Sequence, residues 1–569
     1  MNKKNNHRKF DDRVKFIQGL ITLVAVFFVV YLFAVQVFDA RHYRGRTHRT
    51  KKLFVLRGEI VDRNGLKLAT DVSTFNLYAH LKNSDCDIEK LAETLAPHLN
   101  TTKKQLVEKL SKKKRNILLK KELDRKTANI IREKKIRELS LDETTKRVYP
   151  QGILAAHVLG YYNPNADIAG GVEQVAKEYL EDGGKEETFE RTGTGSIVYE
   201  FGTNPEKLLK PQRGKTLTLT IDSAIQHVCE KALYKKVKEK NAKRGTAIVM
   251  DPTNGEILAF AVYPYYNPNE FRRYSDEERK NWALTDVYSP GSTFKIITVA
   301  SGFISGQYNK NSKILDTGKM TIGKKWEIKN HDLHKNPYPG LIDLVYLFKH
   351  SSNVGAVKIA QSIPMEQYYG ILRSFNYGSK TGIDLPSESS GLLPDWKKWN
   401  SATHGAMGHG YASSVTAIQM VSAISAIANK GVWVTPHVIK YTGEEFNDKI
   451  AQRRIMEEQQ AKDITDLLVK AVEQSPHERL KDFTLAAKTG TSQKINESGK
   501  GYSKTKLYTS TIGFLPASNP KAVIYVVVDS AQGGDIWGST VALPVFKEIA
   551  IETAKILNMT PDKIQNNGG

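Results

Sequence analysis

The sequence predicts an α/β protein of the α+β kind, an antiparallel sheet covered by helices, preceded by an accessory domain and one membrane-spanning helix. Three observations carry this. An uncharged apolar run occupies Phe16 to Phe38. Strand-like pairs near residues 244–263 and 508–529 enclose a long, mostly helical middle. A terminal helical pattern then follows, so the two ends of this region meet in one sheet with helices laid over it.

The apolar run, "FIQGLITLVAVFFVVYLFAVQVF", holds no charged residue. As a helix it is roughly 34 Å long, enough to cross a hydrocarbon core. It exceeds the apolar region of a signal peptide and lacks a small-residue cleavage site, so an uncleaved anchor is expected. Lys3, Lys4, Arg8, Lys9, Arg13 and Lys15 precede it, and Arg41, Arg44, Arg46, Arg49, Lys51 and Lys52 follow it. Flanking charge therefore does not orient the span, and the default is a short inner tail (1–15) with a large outer portion. At 569 residues the chain also exceeds what one hydrophobic core usually supports.

Beyond the anchor, an accessory domain is expected over 39–215. "RGEIVDRNGLKLAT" (Arg57 to Thr70) places an Asn-Gly turn between β-type stretches, a hairpin signal. Ile88, Leu91, Ala92, Leu95 and Ala96 follow a capping Asp87 at helical spacing. Residues 102–147 are strongly basic and read as a solvated helical face, with a docking surface for a partner or for anionic head groups as the alternative. The chain carries 84 basic against 61 acidic residues. Without aromatic interleaving, and behind a membrane anchor, this excess does not point to nucleic acid. Cys86 and Cys229 are the only cysteines, and neither has a second Cys or His at metal-ligand spacing. Two buried structural thiols are expected, with no disulfide framework or zinc site.

The main domain is expected over 216–557, with 558–569 a frayed tail. "GKTLTLTIDSAIQHVCEKAL" reads as a strand, a cap at Asp222 or Ser223, and a helix. "RGTAIVMDPTNGEILAFAVYP" gives a hairpin about Asn254-Gly255. "YTSTIGFLPASNPKAVIYVVVDS" gives two more strands, and a helix from about Trp537 to Leu557 closes the domain.

Within this domain, "YSPGSTFK" sets Ser292 at a helix start, with Pro290 and Gly291 before it and Phe294, Ile297, Ala300 and Ile304 as the apolar stripe. Lys295 falls one turn on, on the same face. A serine needs a base to become a nucleophile, and a lysine serves only where desolvation or a nearby cation favours its neutral form. Ser-x-x-Lys occurs four times, at Ser111, Ser292, Ser503 and Ser518, so the motif alone is weak. What distinguishes Ser292 lies downstream. "KHSSNVGAVKIA" contains Ser351 and Asn353, and "LAAKTGTSQ" presents Lys488, Thr489, Gly490 and Thr491 on a strand-like approach. A second Lys-Thr-Gly, at Lys380, sits in a glycine-bearing loop and is set aside. His350 and His409 flank the motifs and are read as neutral structural imidazoles.

The ordered set Ser-x-x-Lys, Ser-x-Asn and Lys-Thr-Gly is the signature of penicillin-binding proteins and serine β-lactamases. Across most of its length after the anchor, the chain resembles a class B penicillin-binding protein, a monofunctional peptidoglycan transpeptidase. "RGEIVDRNG", "RVYPQGILAAHVLGY", "GVEQVAKEYL", "LTIDSAIQ", "SPGSTFK", "HSSNVG", "GHGYASSVTAIQM" and "KTGT" match that family in order. Ser352, the "TFK" after Ser292 and the size resemble the division-specific FtsI type, with the elongation type as the alternative.

The resemblance implies the penicillin-binding transpeptidase fold and an N-terminal pedestal. It implies that Ser292 attacks a stem peptide, Lys295 accepts the serine proton, and Ser351 with Lys488 relays a proton to the leaving amine. Asn353 would orient Lys295 and hold the donor, Thr489, Gly490 and Thr491 would bind substrate, and the N–H groups of Ser292 and Thr491 would form an oxyanion hole. No cofactor and no metal is expected. Implied partners are peptidoglycan stem peptides, β-lactam antibiotics, a SEDS-family glycosyltransferase and divisome membrane proteins at the bacterial cytoplasmic membrane. Two rivals share the nucleophile: a carboxypeptidase or β-lactamase-like hydrolase, which passes the acyl group to water, and a sensor that only acylates. No block between anchor and catalytic region resembles a glycosyltransferase.

Overall fold

A computed structural model describes residues 3–35, 48–50, 55–81, 86–112, 116–164, 166–182, 188–191, 197–198, 212–323, 326–495 and 501–563. Residues 36–38 of the expected anchor, the basic positions 41–46, Lys51 and Lys52, and the last six residues of the expected tail lie outside this set. By packing, the chain forms two units, Met1–Leu56 with Glu181–Gly214, and Arg57–Leu180 with Lys215–Gly569.

In the first unit one helix runs over Lys3–Ala34, starting well before the apolar run. Its part Arg13–Ala34, 22 residues, is long and apolar enough to cross a membrane. Phe16, Leu23, Phe27 and Phe33 on it are exposed, as a lipid-facing helix requires. Among its described residues the unit also holds short strands: His48–Thr50 and Ile197–Val198 flank Thr188–Arg191, and Val55–Leu56 pairs in parallel with Gln212–Arg213.

The second unit begins with the expected hairpin, in which Ile60–Val61 pairs with the start of Lys67–Ala79. Asp62 Oδ1 accepts from the N–H groups of Asn64 and Leu66 at 2.9 and 2.8 Å, and Gly65 takes a φ of +87° to close the turn. The helix Ile88–Leu99 is capped by Asp87 as expected. The basic stretch departs from the expectation of a helical face. Its described residues hold strands Ile117–Leu123 and Leu139–Val148, both paired to Lys67–Ala79, and two short helices, Lys103–Leu110 and Arg125–Glu133. Ile117, Leu119 and Leu123 are buried while Lys120 and Lys121 face water, so the apolar positions rather than the charge decide the element.

Four buried charges knit this region together. Arg147 Nε donates to Glu173 Oε1 at 2.6 Å and its Nη1 to Asp71 at 3.1 Å, while Arg57 Nε reaches Glu173 Oε2 at 2.7 Å. Cys229 is buried as expected, whereas Cys86 is only partly covered.

The larger sheet has five antiparallel strands in the order Ile257–Tyr263, Arg244–Met250, Ala522–Asp529, Tyr502–Leu515, Ala486–Ile495. Its first and last segments in sequence lie side by side at the centre, as the pattern predicted. Both faces are apolar. Ile248, Met250, Tyr525 and Val527 face a core shared with Ala417–Ala428, while Ala247, Val249, Ile524 and Val526 face one shared with Ser223–Glu239 and Ala542–Ile556. The last helix starts at Ala542 rather than near Trp537, because Trp537 to Thr540 form a turn in which Gly538 packs against Gly490. Ala486–Ile495 is left as a free edge beside the helical half.

Candidate active site

Ser292 lies in a single 3-10 turn, Gly291–Phe294, that runs directly into the helix Lys295–Ile304. Gly291 holds a φ of +59°, and a Cβ there would fall 2.9 Å from Ser492 Cβ, so only glycine lets the turn press against the edge strand. Ser492 Oγ then donates to Ser289 O at 2.6 Å, and Thr293 Oγ1 donates to Pro290 O at 2.9 Å. Gly490 plays the matching part on the strand, since its Cβ would meet Thr293 Cγ2 at 2.9 Å and Ser510 Oγ at 2.8 Å.

Lys295 is fully buried. Its Nζ lies within hydrogen-bond distance of four oxygens, Ser292 Oγ at 3.1 Å, Ser351 Oγ at 3.0 Å, Ser351 O at 2.5 Å and Asn353 Oδ1 at 2.7 Å, one more than an ammonium has protons to donate. Burial and the nearby charge of Lys488 hold this amine well below the ordinary lysine range, opposed by Asp316 and Asp332. Both conditions for a lysine base are therefore met.

Ser351 ends the helix Leu344–His350 in the left-handed conformation, φ +52° and ψ +46°. Ser352 caps the next helix, Asn353–Ser362, by accepting from Gly355 N at 2.8 Å. That sharp reversal aims both Ser351 and Asn353 at Lys295. The Asn353 amide is oriented by its Nδ2, which donates to Lys329 O at 2.7 Å.

Lys488 lies on the edge strand, 5% exposed, and burial pushes its amine down to about 8. Its Nζ donates to Thr489 O at 3.0 Å, and among the described residues it is hydrogen-bonded to neither serine. Thr489 and Thr491 are part-exposed on the same strand, and Thr491 Oγ1 accepts from Gly538 N at 3.0 Å. Lys380 is exposed in a loop. His409 is buried between Trp326 and Tyr411, and burial together with Lys295 pushes it down to about 3, so its ring is neutral. His350 pairs with Asp332 at 3.2 Å rather than with a nucleophile.

The sequence reading missed Asp316 and Asn330. Asn330 Oδ1 accepts from the N–H groups of Asn353 and Val354 at 2.8 and 3.1 Å, and its Nδ2 donates to Asp316. Asp316 in turn accepts from Ser352 Oγ. "DTG" and "KNHD" read as turns, and no local pattern ties them to residues 351–353.

A buried amine shared between two hydroxyls and an amide, beside a strand edge, has the groups that serine acyl transfer requires. The chain matches the penicillin binding protein transpeptidase domain over residues 245–550 and the penicillin-binding protein dimerisation domain over 52–218. It belongs to the penicillin-binding protein transpeptidase family, and the class B resemblance is borne out. It is 31% identical over 528 residues to the protein named "Probable peptidoglycan D,D-transpeptidase PenA" of Neisseria gonorrhoeae, covering 91% of this chain and 87% of that one. It is 27% identical over 535 residues to the peptidoglycan D,D-transpeptidase FtsI of Escherichia coli, with the same two coverages, 91% and 87%. The fold matches a peptidoglycan synthetase from Bifidobacterium adolescentis with a TM-score of 0.69 at 23% identity, over 91% of this chain and 98% of that one.

Proposed function

We propose that this protein is a peptidoglycan D,D-transpeptidase of septal wall synthesis, working through a Ser292 acyl-enzyme. The observation that supports it most is the buried Lys295 Nζ held between Ser292 Oγ, Ser351 Oγ and Asn353 Oδ1. Ser292 Oγ attacks the carbonyl of the penultimate D-alanine of a stem peptide while Lys295 takes its proton. Collapse of the tetrahedral intermediate breaks the peptide bond, and the departing D-alanine amine takes a proton relayed through Ser351 with Lys488. The N–H groups of Ser292 and Thr491 hold the oxyanion meanwhile. The donor lies along Ala486–Ile495 as an added strand, its carboxylate held by Thr489 and Thr491 beside Gly490. An amine of a neighbouring stem then attacks the ester carbonyl and gives up a proton through Ser351 with Lys488, and the ester bond breaks as Lys295 returns a proton to Ser292 Oγ, leaving the cross-link. A β-lactam acylates the same hydroxyl by opening its ring amide.

The FtsI relatives support the septal role, with SEDS-family glycosyltransferase and divisome proteins as partners. The helix containing Arg13–Ala34 anchors the chain in the cytoplasmic membrane, with the tail 1–15 inside and the substrate-facing part outside. The proposed division is 16–38 anchor, 39–215 pedestal, 216–557 transpeptidase and 558–569 tail.

Labelling with fluorescent penicillin tests the nucleophile: wild type is labelled and Ser292→Ala is not, and equal labelling refutes the site. Incubation with a donor stem peptide and an amine acceptor yields cross-linked product, whereas free acid alone identifies a hydrolase. Midcell enrichment of a tagged protein supports the septal role, and uniform sidewall signal indicates elongation.

A further inference from the structure

Asp316 is completely buried and, among the described residues, has no ion-pair partner. Its carboxylate is instead saturated by hydrogen bonds: Gly318 N at 2.7 Å, Asn330 Nδ2 at 3.0 and 2.9 Å to its two oxygens, and Ser352 Oγ. A buried charge kept without a countercharge demands such a full set of donors, and its retention calls for a use. Two of these donors belong to one device. Ser352 Oγ and Asn330 Oδ1 together receive the N–H groups of Asn353, Val354 and Gly355, the first turn of the helix that carries Asn353.

That helix points its positive end at the turn where Lys295 is bound. Lys295 thus meets two positive influences, the helix N-terminus and Lys488 on the edge strand. The other titratable groups around it are Asp332 and His331 from the segment after Lys329, His350 at the end of Leu344–His350, and His409 beyond Ser401–Gly408. Asp332 is partly exposed and engaged with His350. Asp316 is the deeply buried negative charge of the set.

We propose that Asp316 is a positioning residue of this site. Through Ser352 and Asn330 it fixes the Ser351–Asn353 reversal against Lys295, and its buried negative charge opposes the positive field of Lys488 and the helix N-terminus there. The inference rests on the acyl-transfer reading above. Removing the charge releases Lys295 from that opposition, so its neutral form persists to lower pH. Removing only the Ser352 link loosens the reversal and leaves the charge in place.

The test measures the second-order rate constant for acylation of the detergent-solubilised full chain by fluorescent penicillin, as a function of pH, with Ser292→Ala as control. Asp316→Asn is expected to slow acylation and to displace the acid limb downward by about half to one pH unit, less than a charge in direct contact gives. Ser352→Ala is expected to slow acylation on the order of ten- to a hundredfold with the acid limb unmoved. An Asp316→Asn protein with an unshifted acid limb, whatever its rate, overturns the electrostatic role. Wild-type rates in Ser352→Ala overturn the positioning role, whether or not the aspartate variant folds. Labelling that persists in Ser292→Ala instead refutes the nucleophile assignment itself, so the two failures are distinct.

Discussion

Lys295 Nζ lies 3.1 Å from Ser292 Oγ, with the lysine buried and the serine half-buried. A base in this position must be able to shed its proton, and a guanidinium cannot. Lys295→Arg keeps the charge and much of the length yet offers no acceptor. Its acylation by fluorescent penicillin is expected to fall by about a hundred- to ten-thousandfold, the usual worth of a positioned general base. A variant retaining more than a tenth of the wild-type rate assigns the proton transfer elsewhere.

The two buried lysines set the pH dependence. Burial and the Lys488 charge hold Lys295 well below the lysine range, and burial brings Lys488 down to about 8. In the proposed reaction Lys295 acts as its neutral form, so acylation is expected to rise as pH climbs through its titration. Lys488 there assists as its cation, so acylation is expected to fall as pH passes through about 8. Stopped-flow acylation against pH is expected to trace a bell whose alkaline limb lies near pH 8. A profile flat through pH 8 contradicts the charged role of Lys488.

Stability is expected to depend on a different ionic group. Glu173 is fully buried and its carboxylate joins Arg147 at 2.6 Å to Arg57 at 2.7 Å. Glu173→Gln leaves two buried guanidinium groups facing a neutral amide. Breaking a buried pair in this way costs about 3–5 kcal/mol. Urea unfolding of the purified protein is expected to show that loss, with the residual folded fraction acylating at the wild-type rate. A change below about 1 kcal/mol places the cluster in the class of surface ion pairs.

The strands of the main sheet were legible because their signals are local. Asn254-Gly255 between apolar runs fixes a hairpin, and Ile524, Val526 and Val528 alternate with Tyr525 and Val527 across two cores. The residues of the proposed site were legible because acyl transfer restricts the choice of side chain and their order in the chain is distinctive. Asp316 and Asn330 were not, since each reaches the Ser351–Asn353 reversal only through tertiary folding and each sits in a stretch that reads as an ordinary turn. The basic stretch 102–147 misled for the opposite reason. Its lysines dominate the composition, while the burial of Ile117, Leu119 and Leu123 that makes it a strand rests on three residues.

Ser351 offers a last test, in which backbone and side chain can be separated. Its φ of +52° places a residue with a Cβ in the left-handed region, which is disfavoured by about 1–2 kcal/mol. The hydroxyl justifies the position, since it meets Lys295 Nζ at 3.0 Å from there. Ser351→Ala and Ser351→Gly both delete that hydroxyl, so both are expected to lose acylation to a similar degree. Their stabilities should part. Alanine keeps the backbone strain, whereas glycine relieves it and gives back part of the gain as unfolded-chain entropy, about 0.5–1 kcal/mol. Thermal or urea unfolding is therefore expected to find Ser351→Gly more stable than Ser351→Ala by up to about 1 kcal/mol, with no advantage in rate. Should alanine be the more stable of the two, the reversal is not strained and its geometry follows from helix packing alone; should glycine recover acylation, the Ser351 hydroxyl has no part in the proton relay.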